Sequence, residues 1–195
     1  MSGSRSLRAR YRRILGYFAR LTAQLWFFDA VLPRLGLRLF LPESMSQVDY
    51  YGLGPQESYV DKRRASHHGA FSAEVVDLHE DYIRPQENGS HADCNKVIVS
   101  GGGLSLAVVG PTPFSFNASR YTQEELAARH RNTDLTPSGS TVLCLDAAMA
   151  GIGSNSCGPA LRPRYQVDSQ ELGMELHLLL NPLISHTSTH NEVTL

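Results

Sequence analysis

The sequence is poor in cysteine, in aromatic side chains and in net charge, and each shortage narrows the class of protein. Its three cysteines, Cys94, Cys144 and Cys157, are far apart and form no CxxC pair, which favours free thiols in a reducing cytoplasm. The formal net charge is −1 and aromatic residues make up 8% of the chain, so no nucleic-acid surface is indicated. We therefore expect a globular cytoplasmic protein with no nucleic-acid partner.

The sequence also lacks an uninterrupted apolar run of the length that a membrane span or a secretory signal needs. Five arginines crowd the opening MSGSRSLRARYRR, and Arg20, Gln24 and Asp29 interrupt the apolar stretch that follows. We therefore expect no membrane partner. The predicted organisation is a basic N-terminal extension at 1–20, one domain at 21–186 and a polar tail at 187–195.

Short extended segments separated by turn residues dominate the chain. The predicted strands lie in LTAQLWFF, LGLRLFL, KVIVS, LSLAVVG, STVLCLDAAM and MELHLLL. Gly101, Gly102 and Gly103 predict a hairpin in which glycines supply positive φ. One helix is predicted from Tyr121 to Asn132, where Thr122 and Glu125 have the spacing of a capping box. This pattern predicts an all-β, mainly antiparallel fold, and a sandwich is its natural architecture.

Three segments carry polar residues that local structure does not explain. The first, YGLGPQESYVDKRR, places Glu57, Tyr59 and Asp61 at alternate positions. On a strand, that spacing would put all three side chains on one face, and we expect such a face to meet a neighbouring domain.

The other two segments are YIRPQENGSHAD and MAGIGSNSCGPALRPRY. In the second segment, Arg84, Glu87 and His91 surround an Asn-Gly turn. The third segment is a long loop of small residues that contains Cys157. Each of these residue types can take part in catalysis or binding.

Several chemistries are conceivable from these residues. Glu57, Asp61 and Glu87 could supply the paired carboxyl groups of a glycosidase, although carboxylates near arginines are more often salt-bridged. Cys157 could be a nucleophile with a histidine as base, although no motif links it to one. A metal site could form only if folding brought the side chains of His79, His91 and Cys94 together. We assign no catalytic residue and no metal ligand from these patterns.

Five motifs occur in a defined order between about Leu32 and Leu180. They are LPRLGLRLFLP, YGLGPQESYVDKR, YIRPQENGSHAD, PFSFNASRYTQEEL and LDAAMAGIGSNSCGP. Together they resemble the C-terminal domain of large β-galactosidases of glycoside hydrolase family two, which also occurs as the separate small chain of two-subunit β-galactosidases.

The resemblance implies a galactose mutarotase-like β-sandwich, incomplete at the N-terminus because family domains have further strands before LPRLGLRL. It implies that the catalytic glutamates and a magnesium ion lie on a separate (β/α) barrel domain or chain, so this chain itself has no catalytic residue and no cofactor. It also implies that Gly151 to Pro159 form a loop at the active-site rim, where Cys157 occupies the place that some relatives give to tryptophan. The candidate rim residues are Ser154, Asn155, Ser156 and Cys157. The candidates for loop support or a domain interface are Glu57, Tyr59, Asp61, Arg84, Glu87 and Asn88.

The function implied by the resemblance is that of a β-galactosidase component, acting in the hydrolysis of lactose and other β-galactosides. The chain is expected to be inactive alone and to need the catalytic barrel as its partner. Two alternatives remain from the residues. One is a free-standing carbohydrate-binding module, and the other is a mutarotase-like enzyme in which His91 and Glu87 act as acid and base.

Overall fold

The computed structural model describes residues 7–13, 17–26, 32–152, 161–167 and 171–183, with side chains from residue 32 onward except at positions 171 and 172. Nine strands lie in these ranges and join into one sheet. They are β1 (Leu7–Arg13), β2 (Tyr17–Trp26), β3 (Arg34–Pro42), β4 (Gln47–Gly54), β5 (His67–Glu74), β6 (Ser90–Gly101), β7 (Leu104–Ser119), β8 (Ser140–Met149) and β9 (Glu171–Pro182). All of their pairings are antiparallel, so the all-β prediction is confirmed.

Strand β7 is the branch point of the sheet because it pairs with β6, β8 and β9, an arrangement consistent with a β-sandwich. Its first part, Leu104–Val109, lies between β6 and β9, whereas Ser115–Ser119 pair with β8. The path runs β1-β2-β9-β7-β6-β4-β5, and β8 and β3 branch from β7. Apolar side chains from β4, β6, β7, β8 and β9 form one core, against which Leu37, Leu39 and Leu41 of β3 pack. Fully buried members of this core include Val48, Val97, Val99, Val108, Phe116, Leu143, Leu145 and Leu176.

The predicted hairpin is confirmed. Gly101 and Leu104 are register partners at the end of the β6–β7 ladder. The φ angles of Gly101, Gly102 and Gly103 are +137°, +57° and +79°, which only glycine adopts without strain.

The predicted helix is present but shorter than expected. Helix α1 spans Gln123–Ala128, and the Thr122 hydroxyl accepts a hydrogen bond from the Glu125 N–H at 3.1 Å. The Glu125 carboxylate bonds Arg129 and the Thr136 N–H. Arg129 is already extended, so the helix ends there, and 3₁₀ turns lie at Val75–Leu78, Asn132–Asp134 and Pro163–Tyr165.

Three strands were not predicted. In β4, exposed Asp49 and Tyr51 alternate with buried Val48 and Tyr50, a pattern that the mixture of polar, aromatic and glycine residues hides. Strand β5 pairs with β4 along its whole length. Strand β1 lies inside the region interpreted as a basic extension, and it pairs with β2. The domain limits at residues 20 and 186 stay a prediction.

Candidate functional site

The three segments singled out in the sequence meet around the irregular connection between β4 and β5, residues 55–66, which we call the 55–66 loop. The Ser58 N–H donates to the Ser90 carbonyl at 2.6 Å, and the Ser58 hydroxyl accepts from the Ala92 N–H at 2.8 Å. The loop therefore lies directly against the second segment. The third segment contacts it through Asp61, which accepts a hydrogen bond from the Ile152 N–H.

The expectation of a polar strand face at Glu57, Tyr59 and Asp61 was wrong. Strand β4 ends at Gly54, and the residues that follow are not part of a strand. Glu57 is 3% exposed and Tyr59 is 1% exposed, so both side chains point into the protein. Alternation alone cannot distinguish a strand from an irregular loop whose polar groups find buried partners.

Glu57 anchors the 55–66 loop to the second segment. One carboxylate oxygen accepts a hydrogen bond from the Gly89 N–H at 2.7 Å, and the other contacts the Lys62 ammonium and the Tyr82 hydroxyl. Burial and the hydrogen bond to Glu57 raise the pKa of Tyr82. Burial by itself lowers the pKa of Lys62. The hydrogen bonds of the ammonium group to Glu57 and Tyr82 outweigh burial, so the pKa of Lys62 is above its usual value. Glu57 thus has a charged partner and two further donors.

Asn88 and Gly89, where an Asn-Gly turn was predicted, are held by contacts with the residues that precede them. The Asn88 side chain accepts a hydrogen bond from the Glu80 N–H at 3.1 Å and donates one to the Gln86 carbonyl at 2.9 Å. Gly89 has a φ of +69°, and a Cβ there would lie 2.4 Å from the Leu78 carbonyl oxygen. Glycine is therefore required at this position.

A second ion cluster joins β3, β8 and the second segment. The Arg34 guanidinium donates to both carboxylate oxygens of Asp146, and also to Glu87 at 3.0 Å. Asp146 is 2% exposed, and its burial raises the pKa of its carboxyl while Arg34 opposes this rise. Burial likewise raises the pKa of Glu87 against the effect of Arg34. Sequence reasoning missed Arg34 and Asp146, although an acid inside the apolar stretch STVLCLDAAM is a signal that a buried cation must be near.

Asp61 holds the start of the predicted rim loop. Its carboxylate accepts a hydrogen bond from the Ile152 N–H at 3.2 Å. A Cβ on Gly151 would lie 2.4 Å from the Asp61 carboxyl carbon, so the backbone passes directly against this side chain. The Gly151 N–H donates to the Tyr165 carbonyl at 2.9 Å, and both attachments fix the backbone where the loop begins.

Arg84 is the one further predicted site residue that the structure describes. Arg84 is exposed to solvent. The candidate rim residues lie outside the described residues, and they are Ser154, Asn155, Ser156 and Cys157.

The structure argues against acid–base chemistry by His91. The imidazole is 1% exposed and packs against the rings of Tyr50 and Phe116, at centroid distances of 4.6 and 5.1 Å. Burial lowers its pKa to about 4, against a weaker effect of its hydrogen bond to the Leu53 carbonyl. A substrate cannot reach this ring, so the mutarotase-like pairing of His91 with Glu87 is wrong.

The candidate metal ligands do not form a site. Burial raises the pKa of Cys94 to about 12, so its thiol stays protonated at neutral pH, whereas a metal ligand must be the thiolate. Within the ranges that the structure describes, no group of three or more histidine, cysteine, aspartate or glutamate side chains could hold a metal ion. None of the described helices has the length and the apolar character needed to traverse a bilayer.

Comparison with known proteins identifies the family of the chain. Residues 7–180 match the family described as the β-galactosidase small chain. The chain is 42% identical over 153 residues to a β-galactosidase of Actinobacillus pleuropneumoniae. The aligned segment covers 78% of this chain and 15% of that protein. It is 41% identical over 147 residues to a β-galactosidase of Staphylococcus xylosus. This aligned segment covers 75% of the chain and again 15% of the relative.

A β-galactosidase of Kluyveromyces lactis is 34% identical over 150 residues, which covers 75% of this chain and 14% of that protein. The chain therefore spans about one-seventh of the length of these relatives. Because the family match covers most of the sequence, the chain belongs to the β-galactosidase small chain family.

Proposed function

We propose that this chain is the β-sandwich component of a β-galactosidase, and that it shapes the rim of an active site whose catalytic glutamates lie on a separate barrel domain or chain. Support comes from its family and from relatives named β-galactosidase that are much longer than this chain. The substrate in this proposal is a β-galactoside such as lactose. The proposal places the magnesium ion on the catalytic part; in this chain the carboxylates of Glu57, Glu87 and Asp146 are paired with Lys62 and Arg34.

The observation that carries this proposal is the hydrogen bond from the Ile152 N–H to the Asp61 carboxylate, at the start of the rim loop. The 55–66 loop is itself fixed by the Glu57 cluster, so Asp61 rests on a rigid support. A rim loop must be held in place if it is to act on a substrate bound mainly by another domain, because small displacements of positioning groups reduce rates strongly. Glu57, Tyr59, Asp61, Glu87 and Asn88 are therefore proposed to support the loop, and exposed Arg84 to contact the catalytic part.

A cytoplasmic location is part of the same proposal. Cys94 and Cys144 are buried free thiols, which is typical of proteins kept in a reducing compartment.

The support role can be tested in an assembled enzyme. The purified chain is mixed with the A. pleuropneumoniae β-galactosidase from which the matching segment has been deleted, and β-galactoside hydrolysis is measured. We expect Asp61→Ala to lower kcat/KM about ten- to a hundredfold, because the Ile152 N–H loses its acceptor. We expect Asp61→Asn to restore most of the rate, because the amide oxygen can accept the same hydrogen bond.

Assembly is measured in parallel by analytical ultracentrifugation. Equal assembly by the wild type and both variants, with a rate loss only in Asp61→Ala, supports loop positioning. Equal rates for Asp61→Ala and the wild type would contradict the role of Asp61.

A further inference from the structure

A groove lies beside the start of the proposed rim loop and is lined by all three segments that meet at the site. Its volume is about 320 Å³, which is within the range of small-molecule sites. The residues that line it include Arg63, Asp93, Ala147, Ala148, Arg164 and Tyr165.

Asp93 has an unusual backbone conformation in this groove. Its φ is +53°, and among the described residues it is the one non-glycine residue with a positive φ. It lies in the irregularity of the β6–β7 ladder between His91 and Cys94. Bulges of this kind redirect a side chain and are frequent beside binding sites. A left-handed backbone at a non-glycine residue costs conformational energy and persists only where surrounding contacts hold it.

Those contacts are present on both the backbone and the side chain. The Asp93 carbonyl oxygen lies 3.1 Å from His68 Nε2, and the Asp93 carboxylate forms an ion pair with Arg63. Both members of the ion pair line the groove and are almost half exposed. The groove thus presents a fixed carboxylate acceptor next to a guanidinium donor.

The rest of the lining suits a ring with hydroxyl groups. Tyr165 supplies aromatic surface, and the Arg164 guanidinium lies over the Tyr165 ring at 4.6 Å from its centroid. Alanines at positions 92, 147 and 148 leave room for a ligand. A carboxylate and a guanidinium together satisfy adjacent hydroxyl groups, which both donate and accept hydrogen bonds.

We propose that this groove binds a hexopyranose unit, with Asp93 and Arg63 bonding its hydroxyl groups and Tyr165 contacting its ring. The choice of a hexose rests on the proposed function, because the groove adjoins Gly151, where the rim loop begins. The site consists of residues outside that loop, and the chain holds it without the catalytic part.

The test is a titration of the purified chain, followed by two-dimensional ¹H–¹⁵N NMR, with methyl β-galactoside, glucose and glycerol as probes. We expect saturable shifts with a millimolar Kd for at least one hexose, centred on the amides that line the groove, and none for glycerol. Asp93→Asn keeps a residue that tolerates left-handed backbone and should raise Kd about tenfold or more, because it removes a charged hydrogen-bond acceptor. Tyr165→Ala should do the same.

The matched control is Glu124→Gln, which removes the carboxylate of another exposed ion pair with arginine, far along the chain from the groove. It should leave Kd unchanged, and the amide spectrum of each variant shows whether the fold is intact. Absence of saturable binding by the wild type, equal binding of glycerol, or hexose binding that neither groove variant weakens would each overturn the proposal. Failure of the proposed function gives a different result, in which the mixed enzyme hydrolyses nothing although the isolated chain still binds the hexose.

Discussion

Replacing Arg34 by methionine should destabilise the protein strongly, because it leaves a buried carboxylate without its cation. Asp146 is 2% exposed, and Arg34 bonds both of its oxygens. Removing one partner of a buried ion pair typically costs about 3–5 kcal/mol, and we expect a loss of that size in the free energy of unfolding at neutral pH. Methionine preserves the apolar length of the side chain, so the loss in stability measures the contribution of the guanidinium group.

The chain offers a matched control on the same strand. Arg38 pairs with Glu124, whose side chain is 69% exposed, and surface pairs of this kind contribute about 0–1 kcal/mol. Arg38→Met should therefore change stability little. Urea denaturation followed by circular dichroism measures both variants.

The pH dependence of the stability of Arg34→Met shows whether Asp146 is the acid left without its cation. Loss of Arg34 removes the interaction that opposes the raised pKa of Asp146, so its folded-state pKa rises further above the unfolded value of about 4. An acid with a raised folded pKa is protonated more readily in the folded state, so stability falls as pH rises from the unfolded pKa through the folded one. The deficit of Arg34→Met should therefore shrink on acidification from neutral pH. A loss no larger than that of Arg38→Met, or one that does not shrink at lower pH, would refute this reasoning.

Three further experiments test other parts of the structure. Gly151→Ala should lower hydrolysis by the mixed enzyme, because its Cβ would meet the Asp61 carboxylate at 2.4–2.6 Å. The control Gly69→Ala should not lower it, because that Cβ would come no closer than 3.3 Å to a neighbour. Equal rates for the two variants would contradict the close approach at Gly151. Iodoacetamide at pH 8, followed by peptide mapping, should leave Cys94 and Cys144 unlabelled in the folded chain, because burial raises the pKa of each thiol to about 12, and labelling of either before unfolding would show that it is accessible. The His91 ring should show no NMR titration between pH 5.5 and pH 8, since burial lowers its pKa to about 4, and stability should fall as pH drops from about 6.5 towards 4; a midpoint near 6.5 would place the ring in solvent.

Local sequence signals predicted the parts of the fold that depend on local geometry. The glycines at 101–103 identified a hairpin because positive φ is a local requirement. Strand β7 was harder to predict, since Pro111 and Pro113 suggest a break while the strand continues to Ser119. Both prolines are exposed, and they lie where the strand changes partners between Val109 and Phe114.

The candidate site depended on contacts between distant parts of the chain. The sequence identified three unusual segments, and the structure shows that they meet. The strand expected at Glu57 is an irregular loop, because the hydrogen-bond partners of Glu57 at Tyr82 and Gly89 are far along the chain. Arg34 and Asp146 are separated by 112 positions. No local pattern predicts which cation reaches a buried acid, so this pair required the structure.

The most direct measurement of the central claim is β-galactoside hydrolysis by the purified chain, first alone and then mixed with the A. pleuropneumoniae enzyme that lacks the matching segment. Our account predicts no turnover by either protein alone and turnover by the mixture. Robust hydrolysis by the isolated chain, or a mixture that remains inactive, would contradict it.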